Sequence, residues 1–371
     1  MNKKEISEIK KQFKPENFTG NGKIVGCYVE GCEKQRLMTF DKAIYSIPDE
    51  ELFKYIELLK ASLSGGLGKT LHNLEFPLEE SKPDGSETFL RYVVESGLND
   101  EDLLSEMYDK IIEHCDMQER YMILIYRDTY DVPGKALDGA ELEDSGDVYD
   151  YMICMICPVT LSKAGLAVDY KKEDIVDGIR NWNIGKPMHA FLYPAFNDRA
   201  TDLHSTLYFT KKVEEQGLVE NFLCCESIIS SKEQKTFMED MVTEVFGEDC
   251  KYETVESIIE DLYTVKGMDE NKKVGMSEIE RMLSKAGADE EGIERFRAIY
   301  ESRIGENKKL LPTNLLGNDK VDVSCVDLNL KVSTDRTSMI QTRIIDGRPC
   351  LVIQIDGTLT VDNIPVYTKE Q

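Results

Sequence analysis

Five residues able to ligate a metal or hold an anion crowd into the eight positions that close "FLYPAFNDRATDLH", Phe191 to His204: Asn197, Asp198, Arg199, Asp202 and His204. Asp, Asn and His supply the oxygen and nitrogen donors of a divalent-ion site, and an arginine beside them would hold a phosphate or a carboxylate. Placed after an apolar run that ends at Pro194, they make a candidate centre for a metal-assisted hydrolase or phosphoryl-transfer enzyme. The same residues suit a capped turn, in which Asn and Asp satisfy local backbone donors and an Asp pairs with Arg199. Their spacing fits no metal-site signature, so the turn is the preferred reading. A divalent metal is the one cofactor this stretch would call for, and no other cofactor is expected.

The second stretch is "SGGLGKT", Ser64 to Thr70, which ends as a phosphate-binding loop does. Such a loop needs a further glycine five residues before Gly68, and that position is Leu63. The segment before it, "PDEELFKYIELLKASL", carries Leu52, Ile56, Leu59 and Leu63 at helical spacing behind a proline and three acids. Gly65 and Gly66 therefore read as a helix terminus.

The remaining chemistry is thinner. Cys154 and Cys157 form a C-x-x-C inside an apolar, strand-like run, where residues three apart face opposite sides and cannot share one ion. Buried structural thiols are expected there, and at the vicinal Cys224 and Cys225. The acidic stretch "LDGAELEDSGDVYD", Leu137 to Asp150, reads as a solvated connection between strands. "DENKKVGMSEIE", Asp269 to Glu280, matches three positions of a calcium loop through Asp269, Asn271 and Glu280. It puts Lys273 at a ligand position and Val274 where the glycine belongs, and is rejected. His72, His114, His189 and His204 accompany no nucleophile or zinc signature. Trp182, between Arg180 and Lys186, reads as a loop anchor.

The elements that must position these residues follow from periodicity. "EISEIKKQF" is a short amphipathic helix. "KIVGCYVEG" and "RLMTFDKAIYSI" are paired strands, and "SETFLRYVVESGL" and "NDEDLLSEMYDKIIEHCD" are helices. "RYMILIYRDTYDV", "DVYDYMICMICPVTLS", "MHAFLYPAF" and "STLYFTKK" are strands. From Ser230 to Leu311 the period is helical, with capping boxes expected at Ser230–Glu233 and Ser277–Glu280. "VDVSCVDLNLKV" changes alternation phase near Cys325, which a β-bulge would explain. Asp346-Gly347 marks a hairpin turn in "MIQTRIIDGRPCLVIQID".

The chain is thus expected to be α+β (or α/β). Residues 1–212 form a mixed β-sheet body flanked by helices, 213–311 a mainly helical subdomain or insertion, and 312–371 a C-terminal β segment that completes or extends the first sheet. Seventy acidic against 45 basic residues leave a net charge of −25, which opposes non-specific attraction to nucleic acid or anionic lipid. No apolar run reaches the roughly 18 residues of a membrane span, and the first residues lack the apolar core of a signal peptide. The ten cysteines sit mostly in apolar segments, as reduced thiols of a cytoplasmic protein do.

Taken together, "EISEIKKQF", "FLYPAFNDR" and the closing "GRPCLVIQIDGTLTVDNIPV" resemble the Firmicutes proteins of domain-of-unknown-function family 4317 over nearly the whole chain. The resemblance implies a bacterial, cytosolic protein and brings no catalytic residue with it. The leading expectation is a non-catalytic protein that binds a protein or small-molecule partner. The alternative is the metal-assisted enzyme centred on Asp198 to His204. An enzyme needs those side chains to converge in a cleft, whereas a binding protein leaves them paired locally.

Overall fold

Helix α1 (Lys3–Gln12) starts at Asn2, whose side chain accepts from the amides of Lys4 and Glu5 while Glu5 reaches back to the Asn2 amide. It buries Ile6 and Ile9. Strands β1 (Lys23–Glu30) and β2 (Gln35–Ala43) pair antiparallel, and helix α2 (Asp49–Ser62) buries Leu52, Ile56 and Leu59. After β3 (Leu71–Glu75) come α3 (Ser86–Glu95) and α4 (Glu101–His114), the latter capped by Asp100. Two long strands follow, β4 (Tyr121–Lys135) and β5 (Glu141–Leu161). Then come the short β6 (Leu166–Asp169), β7 (Asp174–Asp177) and β8 (Trp182–Ile184). Strands β9 (His189–Tyr193), β10 (Ala195–Asn197), β11 (Ala200–Asp202) and β12 (Ser205–Thr210) complete the set before a π-helical turn at Leu218–Phe222.

The computed structural model describes residues 1–135, 141–268, 272–316, 320–357, 359–361 and 364–366. The chain divides into two compact units, Met1–Ile228 and Ile229–Gln371.

In the first unit the sheet runs β2-β1-β4-β5-β9-β12-β3, with β8 paired to β5, and every strand pairing in it is antiparallel. The fold is α+β. Successive residues of each central strand enter opposite cores. On one face Val25, Cys27, Ile123, Ile125, Met152, Cys154 and Tyr208 pack with Leu90 and Val93 of α3 and Met107 and Ile111 of α4. On the other, Ile24, Leu124, Tyr126, Ile153, Met155, Cys157 and Phe209 pack with Ile6 and Ile9 of α1 and Ile56 and Leu59 of α2.

The second unit opens with α5 (Ser231–Phe246), whose Ser230–Glu233 capping box forms as expected. It continues with α6 (Tyr252–Met268), α7 (Met276–Lys285), α8 (Glu290–Arg303) and α9 (Pro312–Leu316) around Phe237, Met241, Leu262, Leu283, Phe296 and Tyr300. The box expected at Ser277–Glu280 does not form. Val274 and Leu310 exchange backbone hydrogen bonds of 2.8 Å, which hold the chain extended to that point. Helix α7 therefore starts from Gly275, whose amide donates to Glu278.

The remaining strands pair as three hairpins: β13 (Lys320–Cys325) with β14 (Leu328–Ser333), β15 (Ile340–Ile345) with β16 (Arg348–Ile353), and β17 (Leu359–Val361) with β18 (Ile364–Val366). The phase change near Cys325 is thus a chain reversal at Val326-Asp327, where a β-bulge was expected. Asp346 and Gly347, both at positive φ, make the expected two-residue turn. The eight-stranded sheet takes no described strand from this segment.

Candidate functional site

The residues from Asn197 to His204 form a small hairpin. Asn197 pairs with Ala200 across a two-residue turn, and Asp198 and Arg199 sit at φ +50° and +61°. Two consecutive positive φ values define the turn type that matches the twist of an antiparallel pair. The side chains of Asn197, Arg199, Asp202 and His204 then find their partners separately. Asn197 Nδ2 donates to Asp202 Oδ2 at 2.6 Å, and the other Asp202 oxygen accepts from the His204 amide at 3.1 Å. The Asp198 amide donates to Glu5 Oε1 at 2.9 Å, while its own carboxylate lies exposed. Arg199 forms an ion pair with Glu8 at 2.7 Å and donates to the Pro133 carbonyl at 2.8 Å.

His204 is the outlier. Its exposed imidazole sets Nδ1 3.0 Å from Oε2 of Glu87, a buried carboxylate that also accepts from Ser81 Oγ. The dyad orients the ring, and the one hydroxyl in this network, Ser81 Oγ, donates to Glu87 and not to the imidazole. The candidate residues are thus close in the chain but do not converge. Among the described residues no group of three or more His, Cys, Asp and Glu side chains is gathered for a metal ion.

A family model described as a domain of unknown function, DUF4317, matches residues 1–364. The chain belongs to that family. No curated protein and no solved structure matches it.

The partners that hold this hairpin come from far away in sequence: Glu5 and Glu8 from α1, Glu87 from α3. Sequence reasoning also passed over a second network. His189, with about 1% of its surface exposed, places Nε2 2.9 Å from Glu215 and Nδ1 3.0 Å from the Tyr208 hydroxyl and 3.2 Å from Thr210 Oγ1. A carboxylate accepts, so Nε2 carries the proton and Nδ1 accepts from the hydroxyls. Burial holds the His189 pKa below that of a free histidine, with the Glu215 hydrogen bond pushing against it. Burial would raise the pKa of Glu215, but hydrogen bonds from Lys212 and His189 outweigh it and leave the pKa lowered. The order carboxylate–imidazole–hydroxyl resembles a nucleophile relay. Yet Tyr208 and Thr210 are themselves buried, so the geometry supports packing and not attack on a substrate.

The C-x-x-C sulfurs go where strand alternation sends them, Cys154 into one core and Cys157 into the other. Burial pushes the Cys157 thiol up to about 12 and Cys154 well above its ordinary value, so neither is a thiolate at neutral pH. "SGGLGKT" follows the end of α2 at Leu63. Its Gly66 carbonyl accepts from the amides of Lys69, Thr70 and Leu71, each at 3.1 Å. The order helix, loop, strand is the reverse of a phosphate loop, and these amides are already engaged. Trp182 lies half exposed with the Arg120 guanidinium 4.5 Å over its ring. Asp269 and Asn271 of the calcium-loop pattern and residues 137–140 of the acidic stretch lie outside the described residues, and from Glu141 that stretch belongs to strand β5, where a solvated connection was expected.

Proposed function

We propose that this is a non-catalytic protein-interaction protein of the bacterial cytoplasm, and that residues 162–181 are its contact arm. One observation carries the reading. Strands β6 and β7 form a hairpin that places Leu166, Val168 and Ile175 on one side, with Val168 directly opposite Ile175. All three are exposed, Leu166 to 81%, as are Tyr170 and Ile179 at 88% each. Apolar side chains grouped on a surface mark a contact with another protein, and a two-stranded hairpin gains little stability by itself in water. The arm is closed at its base by Gly178 donating to Gly165 and Ser162 to Asn181. It therefore presents the stripe on a defined scaffold.

Residues 162–181 hold four acids (Asp169, Glu173, Asp174 and Asp177) and four bases (Lys163, Lys171, Lys172 and Arg180), so the arm itself is neutral while the whole chain carries −25. The charge of the chain opposes a second copy, whereas a partner with an apolar groove is complementary to the stripe. The local pairing from Asn197 to His204 weighs against the metal-assisted hydrolase or phosphoryl-transfer alternative.

The test is a partner crosslinked through a photoreactive residue at position 175, purified, and titrated against wild-type protein and the Val168→Asp/Ile175→Asp variant. The variant is expected to keep its melting midpoint and lose the complex. Unchanged binding would remove the arm from the reading. A melting shift with magnesium, manganese, calcium or zinc that Asp198→Ala abolishes would return the enzyme to first place.

A further inference from the structure

Lysines gather where the overall charge of the chain gives no reason to expect them. A cleft of about 410 Å³ between α1 and the end of α2 is lined by Lys3, Lys10, Lys11, Lys14 and Lys60. In a chain where acids outnumber bases 70 to 45, all five charged residues of this lining are cations. Its other walls are Ile6, Leu63 and Leu71, all buried, with Leu67 and Gly65 of the loop that follows α2. Lys10, Lys11, Lys14 and Lys60 form no ion pair with a carboxylate among the described residues.

The bland account is that Lys10 and Lys11 close the last turn of α1, and Lys60 that of α2, where cations complement the helix dipole. Each helix end offers only about half a negative charge. Two ends against the four ammonium groups of Lys10, Lys11, Lys14 and Lys60 leave a net surplus of about three positive charges facing one concavity. The volume falls within the roughly 300–1,000 Å³ of small-molecule sites, and an apolar floor under a charged rim fixes the character of the occupant.

We propose that this cleft binds a small organic polyanion: two or more phosphate groups held by the lysine rim, on a compact apolar or planar body that rests against Ile6, Leu63 and Leu71. Lysine suits this role as a point charge on a flexible stem, able to meet phosphate oxygens without fixed fork geometry. In "SGGLGKT" the Gly66 carbonyl holds the amides of Lys69 and Thr70, and Ala61 and Leu71 hold those of Ser64 and Gly68, so the lysine rim carries the site. Gly65 at φ +110° sets the path of the rim, and a Cβ there would fall 1.8 Å from Thr70 Oγ1. The site is separate from the contact arm, and either proposal stands or falls alone.

The test is calorimetric titration of the full chain with pyrophosphate and with ATP at low and at physiological salt. Vesicles containing phosphatidylglycerol form a second arm, to separate a soluble phosphate from a lipid headgroup. Expected is binding of ATP tighter than pyrophosphate, weakened by salt, with vesicles inert. Lys10→Glu/Lys14→Glu is expected to weaken it by at least about tenfold, on the scale of charges a few ångströms apart at a surface. Lys54→Glu, on α2 but outside the cleft, is the control and should leave affinity unchanged. No binding of pyrophosphate, ATP or vesicles, or binding insensitive to the double reversal, overturns the proposal. Binding to vesicles alone would keep the phosphate chemistry and move its source to a membrane surface.

Discussion

At the scale of single residues, the chemistry-bearing types in this chain are mostly spent on structure. His189 is the clearest case. Removing it takes the imidazole partner from the buried Tyr208 hydroxyl and leaves the half-buried Glu215 with Lys212 alone, so His189→Ala is expected to destabilise by about 1–3 kcal/mol in a urea melt. Its pH dependence has a defined sign. An unfolded histidine takes its proton near pH 6.5, whereas burial delays His189 to lower pH. Below about 6.5 the unfolded chain binds more protons than the folded one, so stability is full above that value and falls toward the folded pKa. His189→Ala should flatten that limb, and an unchanged limb would assign it to other groups. None of this was legible in the sequence. "MHAFLYP" announces a buried strand, but Glu215 and Tyr208 reach the imidazole only through the pairing of β9 with β12.

Elements show a different balance. The hairpin at Asp198-Arg199 was legible as a turn because Asn, Asp and Arg are crowded after a buried strand, and its partners were not, because α1 lies nearly two hundred residues away in sequence. Its backbone makes a prediction that separates turn from catalytic site. Asp and Asn tolerate a left-handed conformation and β-branched residues do not. Asp198→Asn should therefore be neutral, and Asp198→Val should cost about 1–2 kcal/mol by thermal melt. A metal ligand would show the reverse order of interest, with Asp198→Asn abolishing a metal-dependent shift. The hairpin at Val326-Asp327 teaches the complementary lesson. A reversal and a bulge leave the same phase slip in an alternating sequence, and only cross-strand pairing of Cys325 with Leu328 tells them apart.

For the whole molecule, the boundary falls between neighbouring isoleucines. Ile228 packs against the first unit's core and Ile229 against the second's. Each unit has its own core, so residues 1–228 expressed alone are expected to show a cooperative melt and near-native far-UV circular dichroism. A non-cooperative or aggregated fragment would refute an independently folding first unit.

The sequence by itself determined the long helices, the buried strands β1, β4, β5, β9 and β12 but not β3, the helical second unit and the turn at Asp346-Gly347, because caps, 3.6-residue periodicity and positive-φ turns are local physics. It also placed the chain in its family. Only tertiary structure decided that the large sheet is antiparallel, since helices cover both faces and strands buried on both sides read as unbroken apolar runs whichever way they pair. It alone separated Asn197, Asp202, Arg199 and His204 onto different partners, two of them in distant helices, and gathered the five lysines of α1, α2 and the chain after α1 around one cleft. Electrostatic and hydrogen-bond partners are chosen by proximity in space, and no spacing along a chain encodes which distant helix will supply them.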